Sequence, residues 1–276
     1  QATLVDKGSW GTNKKILTAN NVAFSNSASG TDMRYKIEWA NQGTGTPTDD
    51  GITGHTITAT GDADISATQK KFGNASLVFD GTGDYLSVPD HADWAFGTGD
   101  FTIDFWMNIS SYTNYAKIFN WGKDGATYHG LIIQLGNGSN LLMYNIVNNA
   151  NAGSGWTISQ STSTTLNNNT WYHIALVRTG NVMKIFKDGT QVGADAAFTG
   201  TFNLAPGNPK YDIGGDTHYN EKLNGYMDEV RVSNTARWTS NFTPPTVAYT
   251  SDANTKLLIH GDVKETRVHA TSLAWA

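Results

Sequence analysis

Two aspartates on one alternating segment are the first residues whose spacing could support hydrolysis. Asp100, Thr102 and Asp104 occupy every second position, so a strand would place them on one face. The opposite face would carry Phe101, Ile103 and Phe105. Residues four apart on a strand are separated by about 13 Å, whereas the two carboxyls of a glycosidase lie about 5–5.5 Å or about 6.5–9.5 Å apart. The pattern therefore predicts a solvent-facing polar row and no hydrolase.

Histidine and tyrosine could supply the base and acid of a lyase if they converged on one face. His173 lies within a predicted apolar strand whose adjacent residues point to opposite faces, so we predict a buried, hydrogen-bonded histidine. Two further pairs lie in or near predicted loops: Tyr128–His129 and His218–Tyr219. Neither pair has a recognisable catalytic partner, so they suit ligand contact better. We therefore predict a protein that is not an enzyme.

Aromatic residues that the strand pattern leaves in loops are candidates for sugar binding. The C–H face of a pyranose stacks on Trp or Tyr, while nearby Asn, Asp and Gln satisfy its hydroxyls. The predicted glycan-binding residues are Tyr112, Tyr115, Trp121, Tyr128, His129, Trp156, His218 and Tyr219. The same aromatics could instead close the ends of a β-sandwich or form a protein interface, where Tyr and Trp are also enriched.

The composition indicates which elements must position these groups. The 276-residue chain has 29 glycines, 11% aromatic residues and no cysteine. Polar turns between aromatic and β-branched segments predict an all-β protein, and the lack of cysteine excludes a disulfide framework and a zinc-thiolate site. A net charge of −5 argues against nucleic acid as a partner. No apolar run approaches the length of a membrane span, so membrane insertion is not expected.

Short predicted strands recur from residue 76 to residue 233, with a hairpin turn at Asp188-Gly189. This spacing predicts antiparallel sheets stacked as a jelly-roll sandwich over residues 48–261. Two flanks do not belong to that series: residues 1–47, where Met33, Tyr35, Ile37 and Trp39 alternate with polar residues, and residues 262–276. We expect these flanks to pair into a small β unit, with the sandwich inserted between them.

Four sequence blocks resemble the concanavalin A-like (laminin-G-like) jelly-roll family. They are KFGNASLVFDGTGDYL (71–86), FGTGDFTIDFW (96–106), WYHIALVR (171–178) and GYMDEVRVS (225–233). With ARWTSNFTPP (236–245), they are similar to the version found in bacteriophage virion proteins. The flanks MRYKIE (33–38) and TRVHATSLAW (266–275) also resemble terminal modules of phage fibre proteins.

The resemblance implies a structural Ca²⁺ ion. Early and late strands of the family are neighbours, which would bring Asp80 close to Asp228, with Asp84 as a third ligand. Tight Asp-Gly turns provide the carboxylate and carbonyl oxygens that Ca²⁺ prefers. The same acids could instead accept hydrogen bonds from the backbone of their turns.

The resemblance also implies a place on a virus particle. We expect a non-enzymatic virion appendage protein that attaches to host-surface polysaccharide through its loop aromatics. Several copies, for example in a homotrimer, would strengthen weak single sites through avidity. The alternatives are a capsid or tail decoration protein whose partners are other virion proteins, and a polysaccharide depolymerase.

Overall fold

The described part of the protein is all-β. The computed structural model describes residues 22–26, 35–39, 46–124, 127–138, 141–147, 157–202, 211–216 and 220–263. Its strands are β1 Val22–Asn26, β2 Tyr35–Trp39, β3 Thr58–Thr60, β4 Asp64–Ser66, β5 Ser76–Asp80, β6 Tyr85–Val88, β7 Phe101–Ser111, β8 Lys117–Asp124, β9 Thr127–Leu135, β10 Leu141–Val147, β11 Ile158–Thr165, β12 Trp171–Thr179, β13 Val182–Lys187, β14 Thr190–Gln191, β15 Ala196–Ala197, β16 Tyr211–Ile213, β17 Asn224–Ser233 and β18 Thr255–Ile259. A single turn of 3₁₀-helix, Ala92–Trp94, follows β6. Within these ranges, no helix is long and apolar enough to cross a membrane.

Two antiparallel sheets form a sandwich, which confirms the predicted jelly-roll architecture. One sheet has seven strands in the order β11-β10-β9-β8-β16-β6-β3. The other has nine strands, with β14-β13-β12-β7-β17-β5-β4 as its main path, β15 beside β13, and β18 beside β17. Neighbouring strands are often distant in sequence, so residues far apart in the chain share one surface.

Alternating side chains of both sheets fill the space between them. On β7, Phe101, Ile103 and Phe105 are fully buried, as their alternation predicts. They pack with inward residues of the other sheet, including Phe119 and Ile133. Because close-packed apolar burial is the main favourable term in folding, this layer fixes which face of each strand points outward.

The central part of the outer face of the nine-stranded sheet, which we call the covered face, is also buried. Residues 234–254 leave β17 and cross this face, where Trp238 and Phe242 stack with ring centroids 4.0 Å apart. These rings pack against Ala175, Val177 and Phe186 of the sheet. The central strands β12, β7 and β17 therefore lie between two buried layers rather than between a core and water.

The prediction of a solvent-facing row on β7 was therefore wrong. Asp104 is fully buried, and both of its oxygens accept hydrogen bonds from Arg231, at 3.0 and 2.9 Å. The Thr102 hydroxyl is also buried and donates to the carbonyl of Thr235, at 2.7 Å. Only Asp100 lies near the surface, where it accepts a bond from the Gly180 amide. Alternation identified the shared face correctly but could not indicate the segment that covers it.

His173 joins this buried network, as predicted. It is fully buried, and its Nε2 lies 2.9 Å from the Tyr249 hydroxyl and 3.5 Å from Asp104 Oδ2. Tyr249 belongs to the covering segment, and its amide donates to Glu229. These partners hold the covering segment on the sheet, so the histidine has a structural role.

The predicted hairpin turn at Asp188-Gly189 is confirmed and holds the same segment. Both residues have positive φ angles, 49° and 74°, as a type I′ turn requires. A Cβ atom at Gly189 would collide with the carbonyl of Phe242. The Phe242 amide in turn donates to the Gly189 carbonyl, at 2.9 Å. Glycine therefore permits both the turn and the close approach of the covering segment.

The N-terminal flank contains a two-stranded antiparallel sheet. Strands β1 and β2 pair with each other, with Val22 opposite Trp39 and Asn26 opposite Tyr35. Strand β2 lies within the alternating segment identified from the sequence. Residues 264–276, the expected partners of this flank, lie outside the described residues, so the pairing of the two ends stays a prediction.

Candidate functional site

A row of polar side chains crosses the outer face of the seven-stranded sheet. Asp212 of β16 lies opposite Ser87 on one side and Asn120 on the other. Asn120 lies opposite Ile132, which lies opposite Asn145. Directly paired residues point to the same face, and their neighbours along each strand belong to the apolar core. The row therefore points outward, with successive positions about 4.8 Å apart.

Charged residues extend this row at one end of the sheet. The Lys117 Nζ donates to Gln134 Oε1 at 2.7 Å and to Glu221 Oε2 at 2.6 Å. Lys222, which pairs with Lys117 in a parallel bridge, donates to the carbonyl of Asp216. We call the following residues the polar cluster: Ser87, Lys117, Asn120, Gln134, Asp212, Asp216, Glu221 and Lys222.

The polar cluster is nearly shielded from water, although it lies on an outer face. Asn120 is 3% exposed, Asp212 4% and Lys222 5%. Burial lowers the pKa of Lys222, while the carboxylates of Asp216, Asp212 and Glu221 oppose that shift. The amide oxygen of Asn120 has no hydrogen-bond donor among the described residues. Since a buried acceptor without a donor is costly, Asn120 offers a bond that a ligand hydroxyl could complete.

Two tyrosine rings flank the polar cluster. Lys222 Nζ lies 4.8 Å from the centre of the Tyr85 ring, and Lys117 Nζ lies 5.9 Å from that of Tyr115. Tyr115 lies in the turn before β8, where its positive φ of 55° places it in the left-handed region. Amides, carboxylates and amines beside aromatic faces are the groups that recognise sugar hydroxyls and C–H surfaces.

Residues 80–240 match the family model of the concanavalin A-like lectin/glucanases superfamily. This match covers more than half of the chain. The chain belongs to that superfamily. A search of curated proteins found no match to the sequence.

Solved structures are similar to this concanavalin A-like domain. The binding domain of Paraclostridial Mosquitocidal Protein 1 has a TM-score of 0.54 at 13% identity, covering 79% of this chain and 49% of that one. The chain therefore spans about half the length of that domain. Domain 4 of AbnA, a GH43 extracellular arabinanase from Geobacillus stearothermophilus in complex with arabinotriose, has a TM-score of 0.47 at 17% identity, covering 66% of this chain and 83% of that one. At these identities the likeness concerns the fold alone.

Two of the predicted glycan-binding residues lie beside the polar cluster of this concanavalin A-like domain. Tyr115 faces Lys117, as described above. Tyr112 lies in the same turn and is half-buried, with its hydroxyl 2.7 Å from both Asn114 Oδ1 and the Gly136 carbonyl. The loop before β8 therefore presents aromatic residues next to hydrogen-bonding groups.

The prediction that Trp121 is a loop aromatic was wrong. It lies on β8, is 2% exposed and stacks against Phe202 and Tyr211 in the core. Tyr128 and His129 lie on strand β9 rather than in a loop. The other predicted glycan-binding residues lie outside the described residues: Trp156, His218 and Tyr219.

The predicted calcium ligands do not form one site. Strands β5 and β17 are neighbours, as the resemblance implies, but their register places Asp80 opposite Asn224. Asp228 lies four residues further along β17, about 13 Å from that position. One ion cannot bind carboxylates so far apart at 2.3–2.6 Å, so this ligand set was wrong. A structural Ca²⁺ as such stays a prediction.

These three aspartates accept hydrogen bonds from the backbone instead. Asp84 is buried and accepts from the amides of Asp62 and Asp80, at 2.6 and 2.9 Å. Asp80 accepts from the Thr82 amide within its turn. Asp228 accepts through Oδ2 from two amides of the loop before β5. Burial raises the pKa of Asp228 to about 7, although these two bonds act to lower it.

Sequence reasoning missed the polar cluster. The alternation of β8, β9 and β16 marks Asn120, Gln134 and Asp212 as residues of outward faces. Their proximity depends on the sheet order, which places β16 between β8 and β6. Strands from three distant parts of the chain therefore build the site, so no short sequence motif identifies it.

Proposed function

We propose that this protein is a non-enzymatic bacteriophage virion appendage protein that attaches to host-surface glycans through the polar cluster. The observation that carries the proposal is the buried amide oxygen of Asn120, which has no donor among the described residues and lies in a row of hydrogen-bonding groups. The rings of Tyr85 and Tyr115 add aromatic surfaces at its margin. A sugar supplies both hydroxyl donors and an apolar ring face.

The position on a virus particle rests on the phage-like sequence block at 236–245 and on the two flanks. Shallow glycan sites bind weakly, and several copies on one appendage raise the effective concentration of binding sites. A homo-oligomer, such as a trimer, is therefore part of the proposal. Calcium, where bound, would act as a structural brace without contacting the glycan.

A specific observation favours a second function, decoration of the capsid or tail without a glycan ligand. The charged members of the polar cluster already have partners within the chain: Lys117 with Glu221, and Lys222 with Asp216. Such a self-contained network could stabilise the sheet alone. Its partners would then be other virion proteins.

A glycan array and a phage adsorption assay with purified competitor protein separate the two functions. Glycan attachment predicts saturable array binding and reduced adsorption. We expect Asn120→Ala to weaken array binding at least tenfold, because its amide bonds to the sugar are lost. Asn145→Ala is the matched control: the same residue type on the same face, equally buried, but outside the polar cluster.

Three results would contradict the proposal. Absence of array binding together with unimpaired adsorption would favour decoration. Equal glycan binding by Asn120→Ala and Asn145→Ala would show that the glycan site is not the polar cluster. Release of oligosaccharides from host capsule would identify a depolymerase and contradict a purely binding function.

A further inference from the structure

Three metal-ligating side chains converge at the β3 edge of the seven-stranded sheet. The His55 Nε2 lies 3.1 Å from Asp93 Oδ2, and the His91 Nδ1 lies 3.3 Å from the same oxygen. One ligand atom from each of the three lies within 4.8 Å of the other two. Two imidazoles and one carboxylate therefore face a common point.

The pairing of β3 with β6 explains why these residues meet. Thr58 lies opposite Ser87, so the chain before β3 runs alongside the chain after β6. His55 precedes β3, whereas His91 and Asp93 belong to the turn after β6. The convergence is thus a consequence of sheet register and does not depend on a chance surface contact.

Surrounding contacts hold the three side chains in place. The Asp49 carboxylate accepts from the amides of His55 and Leu258, at 2.7 and 2.9 Å, which ties the His55 loop to β18. The ring of His55 packs 4.5 Å from that of Trp94, which is fully buried. His55 is therefore held in place, whereas His91 Nδ1, which accepts from the Asp93 amide at 3.2 Å, must give up that bond to bind a metal.

We propose that His55, His91 and Asp93 bind a zinc ion, with water in the fourth position. A tetrahedral ion with Zn–N and Zn–O bonds near 2.0–2.1 Å keeps its ligand atoms about 3.3 Å apart, which agrees with the two histidine–carboxylate separations. The two histidine ligand atoms lie within 4.8 Å of each other and would adjust around the ion. Imidazole nitrogens favour zinc and similar transition metals over Ca²⁺, which prefers oxygen ligands. This site is independent of the proposed glycan function.

Neighbouring groups orient the Asp93 carboxylate and leave the site open to solvent. The Thr53 hydroxyl donates to Asp93 Oδ2 at 2.6 Å, and it can orient the carboxylate as outer ligands commonly do. The Lys256 ammonium lies 3.9 Å from Asp93 Oδ1, the other oxygen of this carboxylate. His91, whose side chain is 45% exposed, gives the ion access from solvent. A bound ion would link the His55 loop to the turn at residues 91–94.

The test uses the full chain without a histidine tag, dialysed first against chelator. Titration calorimetry with zinc chloride should show one ion bound per chain, and cobalt(II) should give the visible absorption of a tetrahedral site. At free zinc 100-fold above the dissociation constant, we expect the melting temperature to rise by about 5 °C. His91→Ala and Asp93→Asn should each weaken zinc binding at least tenfold.

Asp90→Asn is the matched control, because it removes an exposed carboxylate from the same turn without touching the three ligands. It should bind zinc within twofold of the parent. His91→Ala should melt within about 4 °C of the parent in chelator, since nearly half of its side chain is exposed and the bond that it loses caps one turn of 3₁₀-helix. Lost binding by this folded variant would therefore not reflect unfolding. No saturable binding, or equal zinc binding by His91→Ala and Asp90→Asn, would overturn the proposal. Saturable binding of calcium without zinc would also overturn it.

Discussion

The two outer faces of the sandwich each carry an ion pair, and the two pairs differ in their exposure to water. On the covered face, residues 234–254 bury the pair formed by Asp104 and Arg231. On the opposite outer face, Lys117 pairs with Glu221, whose carboxylate still reaches water. The Asp104 side chain is fully buried, but that of Glu221 is 29% exposed. Asp104, Arg231 and Lys117 each alternate with core residues along a strand, whereas Glu221 lies in the loop before β17. The difference is the covering segment, which converts one polar face into an interior layer. On the other face, the Glu221 carboxylate still reaches water at the margin of the polar cluster.

Among the variants that test this comparison, Asp104→Ala is expected to lower the free energy of unfolding most. The change leaves the Arg231 guanidinium buried without its charge partner, which typically costs about 3–5 kcal/mol of unfolding free energy. Urea denaturation measures the loss. The double variant Asp104→Leu/Arg231→Met removes both charges and should recover most of the stability. A loss below about 1 kcal/mol for Asp104→Ala would show that the covering segment does not exclude water.

The pH dependence of stability is expected to give the next largest effect, and it also belongs to the covered face. The raised pKa of Asp228, about 7, means that the folded protein holds a proton that the unfolded chain has released. Stability should therefore fall as pH rises from about 4 to about 7, by about 2–4 kcal/mol. A hydrogen bond to Glu229 raises the pKa of His260, so its contribution is also lost as pH rises through that pKa.

Asp228→Asn should flatten this pH profile, because the amide can accept the same two backbone bonds without ionising. Unfolding free energies of parent and variant, measured between pH 4 and pH 8, provide the check. Asp62→Asn, an exposed aspartate, serves as the control and should leave the profile unchanged. Parallel curves for the parent and Asp228→Asn would contradict the assignment.

The two faces also show which structural features could be predicted from the sequence and which could not. Alternation correctly placed Phe101 and Ile103 in the core, and the Asp188-Gly189 turn was read correctly from its residue types. Both depend on neighbouring residues. The burial of Asp104 depends on a segment more than a hundred residues away, and the separation of Asp80 from Asp228 depends on the register of two distant strands. Local patterns do not encode these long-range relations.

The polar cluster itself was missed for the same reason, and Trp121 was misplaced by a related error. Trp121 ends the alternating part of β8 next to a glycine and a lysine, which resembles the start of a loop. In the structure, its ring stacks on Tyr211 of the adjacent strand. Sheet order, which the sequence does not express locally, decided both outcomes.

The smallest expected effect on stability, and the sharpest test of the comparison, comes from Lys117→Met. Methionine keeps the apolar stem and removes the ammonium, while water can hydrate the exposed Glu221 carboxylate that is left behind. The loss of unfolding free energy should therefore be about 1 kcal/mol, well below that of Asp104→Ala. Glycan binding should nevertheless fall at least tenfold, because the ammonium holds Gln134 and Glu221 of the polar cluster in place.

Lys184→Met provides a close control on the other sheet. Lys184 also pairs with one carboxylate and one glutamine, Asp195 at 2.7 Å and Gln191 at 3.4 Å. Its replacement should cost similar stability and leave glycan binding unchanged. If Lys117→Met instead lost 3–5 kcal/mol and Lys184→Met did not, the polar cluster would resemble the covered face energetically. In that case the cluster would be a structural network, and the decoration function would be favoured.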